Sequence, residues 1–150
     1  MPQSLAKILV HIVFSTKDRI PMIDKTIETQ LHAYMAAIFR DLDSPILVIG
    51  GRPDHVHVLA SLSRTRALSD VIKKVKGESS KWIKTKGDPY RRFFWQAGFG
   101  AFSVSESLVE KVEKYIREQD IHHDGASFKS EMRGLFRMHG IAYDERYVWD

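Results

Sequence analysis

The spacing of apolar residues along this 150-residue chain predicts an α+β fold: a ferredoxin-like β-α-β-β-α-β antiparallel sheet with helices on one face, followed by C-terminal helices. Three observations predict it. Apolar residues recur at every second position at Ile8, Val10, Ile12 and Phe14, the period of a half-buried strand. They recur at helical spacing at Ile27, Leu31, Tyr34, Met35, Ile38 and Leu42, and again at Leu68, Val71, Ile72, Val75, Trp82 and Ile83. Between those stretches lie two short apolar runs, Ile46 to Ile49 and Val56 to Leu62, joined by Gly50-Gly51-Arg52-Pro53.

Taken in order, the first strand opposes its apolar face with Lys7, His11 and Ser15. Asp24 is placed to cap the first helix, since a short acceptor side chain satisfies amide groups left over in the first turn. The glycine-proline segment then turns the chain between the second and third strands. A fourth strand fits Phe93 to Val104, where Trp95, Ala97 and Phe99 alternate before glycines that bend it. Ser105 or Ser107 is expected to cap the helix carrying Tyr115. Ser127 caps a last helix with Phe128, Met132, Leu135 and Phe136 on its apolar side and Gly140 as its stop. The aromatic-rich segment Ile141 to Asp150 is expected to dock on its own domain or on a partner subunit. With two helices over one sheet face, the other face is expected to stay open.

Residues 1–150 read as one domain, with no internal repeat and no linker. A composition of 43% hydrophobic and 28% charged residues excludes a disordered chain. No apolar run approaches a membrane span, and Met1 to Lys7 lacks the features of a signal peptide, so a cytoplasmic location is expected. The absence of cysteine excludes disulfides and thiolate metal sites.

Charge is unevenly placed. Lys73, Lys74, Lys76, Lys81, Lys84, Lys86, Arg91 and Arg92 face only Glu78 and Asp88 in the same stretch, a net +6 in a chain whose total is +4. A basic segment on an otherwise slightly acidic protein suits a phosphate backbone, with counterion release as the driving term.

The chemistry concentrates in His55-Val56-His57. Side chains alternate along a strand, so the two imidazoles share one face while Val56, Val58, Ala60 and Leu62 take the other. Two histidines a few Å apart suit one shared cation, although a lone His-x-His is more often just a pair of polar surface positions. Tyr115 and Gln119 stand four apart in a helical stretch and so stack on one side. A phenol and a carboxamide thereby approach the same site.

With these residues assembled, the chain resembles the IS200/IS605-type transposases, including the repeat-associated tyrosine transposases, within the HUH endonuclease superfamily. The matching pieces are His11-Ile12-Val13-Phe14-Ser15-Thr16-Lys17, Gly50-Gly51-Arg52-Pro53-Asp54-His55-Val56-His57-Val58, Lys76-Gly77-Glu78-Ser79-Ser80, Trp95 through Ser105, and Tyr115-Ile116-Arg117-Glu118-Gln119. Five motifs in one order are specific where any single one is not.

The resemblance implies a divalent cation, Mg²⁺ or Mn²⁺, held by His55, His57 and the Gln119 amide oxygen, with Tyr115 as nucleophile. It implies cleavage and rejoining of single-stranded DNA through a 5′-phosphotyrosine link. It also implies hairpin-containing element ends as substrate and a homodimer as the working form. Lys17, Arg19, Arg52, Lys73, Lys74 and Lys76 are the expected nucleic-acid contacts. His11, His122, His123 and bound water are all open as acceptors of the Tyr115 proton, and the sequence selects none. A histidine-triad hydrolase would need a third alternating histidine where this chain has Leu59. A catalytically idle nucleic-acid-binding protein on the same fold is the other alternative.

Overall fold

The computed structural model describes residues 2–122 and 127–150. Strands β1 (Leu9–Ser15), β2 (Ile46–Arg52), β3 (His55–Ser61) and β4 (Gly100–Val104) form one antiparallel sheet in the order β2-β3-β1-β4. Helices α1 (Lys25–Asp41) and α2 (Leu68–Lys84) connect them as the β-α-β-β-α-β order requires. Three more helices follow: α3 (Val109–Arg117), the short α4 (Gln119–His122) and α5 (Phe128–Met138). This is the expected α+β class.

One sheet face carries Val10, Ile12, Phe14, Val56, Val58 and Ala60, and it packs on Leu31, Met35 and Phe39 of α1 and Val71, Ile72, Val75 and Ile83 of α2. The second face is not open. Leu9, Val48 and Leu59 on that face pack under Ile116 of α3, and Val13 and Phe102 pack under Phe128, Met132, Phe136 and Trp149. Apolar side chains on both faces of β1 and β3 need cover from both sides, and the C-terminal helices supply the second layer.

Several boundaries differ from expectation for identifiable reasons. β2 runs through Gly50 and Gly51 to Arg52, which pairs with His55, so the turn is only Pro53-Asp54. A Cβ at Gly50 would lie 2.3 Å from the Ile116 carbonyl oxygen; glycine is needed there because α3 crosses the strand. The fourth strand begins at Gly100 rather than Phe93. Phe93 and Trp95 instead insert into the first core, and Gln96 holds the segment to β1 by its backbone amide on the Ser15 carbonyl (2.9 Å) and its side-chain oxygen on the Ser15 amide (2.8 Å).

The Asp24 and Ser127 caps form as expected, on Ile27 N and Ser130 N respectively. Neither Ser105 nor Ser107 caps α3; their hydroxyls bond each other, and Leu108 precedes the helix. Gly140, at φ 65°, ends α5 with the paired Gly140 N–Arg137 O and Ile141 N–Phe136 O bonds of a left-handed C-cap. The terminal segment docks on its own domain: Trp149 is buried against α5, the Gly98 amide donates to the Asp150 carbonyl, and Arg19 donates to the Trp149 carbonyl.

Candidate metal and tyrosine site

The two histidines of β3 lie on the second face, where register pairs Val13 with His57 and Ser15 with His55. They are buried, at 1% and 0% exposure, beneath α3 and α5. The expectation of surface imidazoles is therefore corrected: the layer that covers Leu9, Val13 and Leu59 covers them as well.

Each ring is held by a second group. His55 donates from Nδ1 to Asp54 Oδ1 at 2.7 Å, which turns Nε2 inward. His57 Nδ1 lies 2.8 Å from His11 Nε2, with the rings stacked at 5.1 Å between centroids. Burial and the neighbouring His57 push the His11 pKa down to about 3, so His11 stays neutral. Such contacts fix ring orientation and tautomer, the usual support of metal-binding imidazoles. His11 thus bonds His57 and also packs edge-on to the Tyr115 ring at 6.2 Å between centroids; His123 and the His122 side chain lie outside the described residues.

Tyr115 comes from α3 and Gln119 from the start of α4, since the expected single helix breaks at Glu118. Both still reach the histidines. Gln119 donates its amide nitrogen to the Tyr115 carbonyl at 3.3 Å, which leaves its Oε1 3.4 Å from His55 Nε2. Tyr115 packs edge-on to His57 at 5.6 Å between ring centroids.

Glu131 of α5 joins them, unanticipated from the sequence. Its Oε1 lies 2.6 Å from His57 Nε2 and accepts from the Tyr115 hydroxyl at 2.5 Å, while Oε2 lies 3.8 Å from His55 Nε2. Burial alone would raise the Glu131 pKa, but hydrogen bonds from His57 and Tyr115 outweigh it and hold the carboxyl well below the usual range. Burial, and then the Glu131 carboxylate, push the Tyr115 phenol above its ordinary value. The sequence signal for Glu131 was present. Phe128, Glu131, Met132, Leu135 and Phe136 form one helical stripe, and a carboxylate inside an apolar stripe needs a buried partner.

This donor set fits a divalent cation. With Nδ1 committed to Asp54, His55 points Nε2 toward Gln119 Oε1 and Glu131 Oε2, both acceptors. Acceptors converge in this way only when a cation, either a proton or a metal ion, lies between them. Ligand atoms of His55, His57 and Glu131 all lie within 4.8 Å of one another. Imidazole, carboxamide and carboxylate together suit a borderline or hard metal and do not by themselves select one.

The expected nucleic-acid residues are scattered. Lys73 and Lys74 are exposed on α2, in the layer across the sheet from the histidines, and Lys17 is exposed just past β1. Arg52 pairs with Asp120 at 2.9 Å, and Arg19 holds the terminal segment. Lys76 is half-buried, and its ammonium braces the carbonyls of Gln96, Ala97 and Gly98 at 2.9, 3.4 and 2.5 Å. Burial lowers its pKa to about 8.

A ferredoxin-like sheet with a strand-borne His-x-His pair facing a helix-borne tyrosine defines the class, and comparison with known proteins identifies the family. Residues 4–119 match the family described as Transposase IS200 like, and the chain belongs to it. It is 24% identical over 114 residues to the ISDra2 transposase TnpA of Deinococcus radiodurans, spanning 73% of this chain and 81% of that one. Its fold matches a REP-associated tyrosine transposase solved bound to a REP hairpin, with TM-score 0.62, 16% identity, and coverage of 100% of this chain and 96% of that one. A transposase candidate from D. radiodurans R1 matches with TM-score 0.62, 20% identity, and coverage of 79% of this chain and 98% of that one. No helix among the described residues is long and apolar enough to cross a membrane.

Proposed function

We propose that this transposase cleaves and rejoins single-stranded DNA by transesterification at Tyr115. The observation that carries the proposal is the convergence of the Tyr115 hydroxyl, two oriented imidazoles, the Gln119 amide oxygen and the Glu131 carboxylate in one buried cluster. His55, His57 and Gln119, joined by Glu131, would hold a divalent cation, Mg²⁺ or Mn²⁺. When bound, that ion supplies positive charge at the scissile phosphate.

The side chains account for the remaining chemistry. Tyr115 Oη attacks phosphorus in line, forming a 5′-phosphotyrosine with the fragment downstream of the break, while the 3′ oxygen of the upstream fragment leaves and takes up the proton given up by the phenol, becoming a 3′-hydroxyl. Attack by another 3′-hydroxyl reverses the step, rejoining DNA and returning the proton to Tyr115. Glu131 aims the phenol through the 2.5 Å hydrogen bond. Its depressed pKa makes it a positioning acceptor and a poor resting base for a phenol whose own pKa is raised. Asp54 and His11 keep the two imidazoles aimed at the same point.

The substrate we propose is hairpin-containing single-stranded DNA at element ends, bound by a homodimer. The neighbour solved with a REP hairpin supports the hairpin. Lys17, Lys73 and Lys74 are exposed for phosphate contact, and Arg52 and Arg19 lie near the site end of the sheet.

The test is incubation with Mn²⁺ and labelled single-stranded oligonucleotides from the flanks of the gene, followed by denaturing electrophoresis. The expected result is a denaturant-resistant protein–DNA adduct that requires metal and is absent from Tyr115→Phe, while that variant still binds the DNA. Binding by wild type with no adduct under Mn²⁺ or Mg²⁺ would reduce the protein to an idle DNA-binding module.

A further inference from the structure

A cleft of about 450 Å³ runs between α3 and α5, with β4 as part of its floor, and its inner end is formed by Tyr115, Glu131 and His11. Along its length the walls are chiefly apolar, including Val104, Val112 and Leu135. Phe102 and His139 stand stacked in it at 4.7 Å between ring centroids. Leu108 and Met138 at its edge are left 48% and 76% exposed.

Gly134 lies in the wall, in the middle of α5, and a Cβ there would meet nothing within 4 Å. Packing therefore does not require glycine at a helical position where glycine is unfavourable relative to alanine. What its missing side chain does is widen the cleft.

Building on the proposed chemistry, we propose that this cleft receives the base of the nucleotide flanking the scissile phosphate. Three features select that occupant. The histidines and Gln119 are buried, and the cleft reaches the Tyr115 side chain, so a phosphate at Tyr115 has a neighbouring nucleotide within reach of the opening. A volume of about 450 Å³ suits one small planar ligand and is too small for a docked helix. A nucleobase combines apolar faces, which the walls match, with polar edges that Ser130 and His139 can meet. Lys111, also in the lining, supplies charge for the adjoining phosphate.

The experiment uses full-length protein and an oligonucleotide from the gene's flank whose cleavage position the adduct assay has mapped. Gly134→Leu should fill the cleft and lower the single-turnover adduct rate at saturating DNA roughly tenfold, the scale of one stacked base, while leaving hairpin-DNA affinity within about twofold. An abasic residue at the flanking position should slow wild type by a similar factor and slow Gly134→Leu no further. Independent, multiplying effects would overturn the proposal, as would a wild-type rate in Gly134→Leu.

A second measurement does not depend on that variant folding. Tyr115→Phe is titrated into the same oligonucleotide carrying 2-aminopurine at the flanking position. Changed emission there, with little change two nucleotides further out, supports the cleft; unchanged emission overturns it. If Gly134→Leu instead dissociates a dimer, the cleft is a subunit interface and the proposal fails. Absence of any wild-type adduct removes the transesterification reading as well, whereas an adduct without coupling removes this inference alone.

Discussion

Glu131 is the residue on which the geometry of the site turns, because one carboxylate bridges His57 and the Tyr115 hydroxyl and approaches His55. Under the proposed role, Glu131→Gln should weaken Mn²⁺ binding, read by calorimetry on metal-free protein, by about tenfold or more. Affinity unchanged or tightened would show that the carboxylate merely competes with the ion. Asp54→Asn should weaken it by roughly 10- to 100-fold through misorientation of His55. His11 gives a pH test. Its folded pKa is about 3 against an ordinary 6.5, so both states are neutral above pH 6.5, and on acidification the unfolded chain takes up a proton that the folded one does not. Stability attributable to His11 therefore falls between pH 6.5 and about 3, by up to ~1.4 kcal/mol per pH unit. His11→Gln should flatten the change in urea midpoint between pH 7 and pH 5, measured in chelator; equal slopes for both proteins would refute it. At this scale the shared face of His55 and His57 was legible from strand alternation, whereas Tyr115 and Gln119, which stand on either side of a break at Glu118, were singled out by the family resemblance. Glu131 was not picked out, because what joins it to them is contact of α5 with β3 and α3, which periodicity within one helix does not report.

Among elements, α2 separates two kinds of lysine that composition treats alike. Lys76 braces three consecutive carbonyls of the segment ahead of β4, whereas Lys73 and Lys74 are exposed. Lys76→Ala should cost about 2 kcal/mol of stability by chemical denaturation, the scale of removing charge-assisted hydrogen bonds from partly buried acceptors. Lys73→Ala and Lys74→Ala should leave stability within about 0.5 kcal/mol and shallow the salt dependence of DNA binding by roughly one phosphate contact each. A steep loss of stability in either would place these lysines in the scaffold instead. The same bracing holds Phe93 to Phe99, which looked like a strand. The alternation expected through Trp95, Ala97 and Phe99 does not hold: Phe93 and Trp95 enter the first core, Gln96 is buried on Ser15 of β1, Ala97 and Phe99 are exposed, and Trp95 bridges Thr16 just past β1. Gly50-Gly51 misled in the opposite direction, reading as a turn when glycine is there to let α3 cross β2.

At the scale of the whole molecule, the sheet is ordinary on one face and unusual on the other, where His55 and His57 are buried under a layer contributed by the last third of the chain and the cleft between α3 and α5 reaches Tyr115. The two-helix face could be read from periodicity. The second layer could not, although Leu9, Val13 and Leu59 on the supposedly open face already required cover. That layer is pinned at its end by Trp149, which is 9% exposed, packs with Phe128 and Phe136, lies under Lys129 and Arg133, and donates from Nε1 to Glu145 at 2.9 Å. The main chain of residues 149 and 150 is tied to Arg19, Gly98 and Gln96. Removing the indole should therefore loosen α5 more than the sheet beneath it. Trp149→Ala is expected to cost about 3 kcal/mol overall, and amide exchange should accelerate in α5 while β1 and β3 keep their protection, because a segment opens locally when its own packing is weakened. Met138→Ala, at a side chain 76% exposed on the same helix, should leave exchange unchanged. If Trp149→Ala instead accelerates β1 and α5 together, the second layer and the sheet unfold as one unit. Glu131 would then be held by global stability rather than by a separately anchored helix.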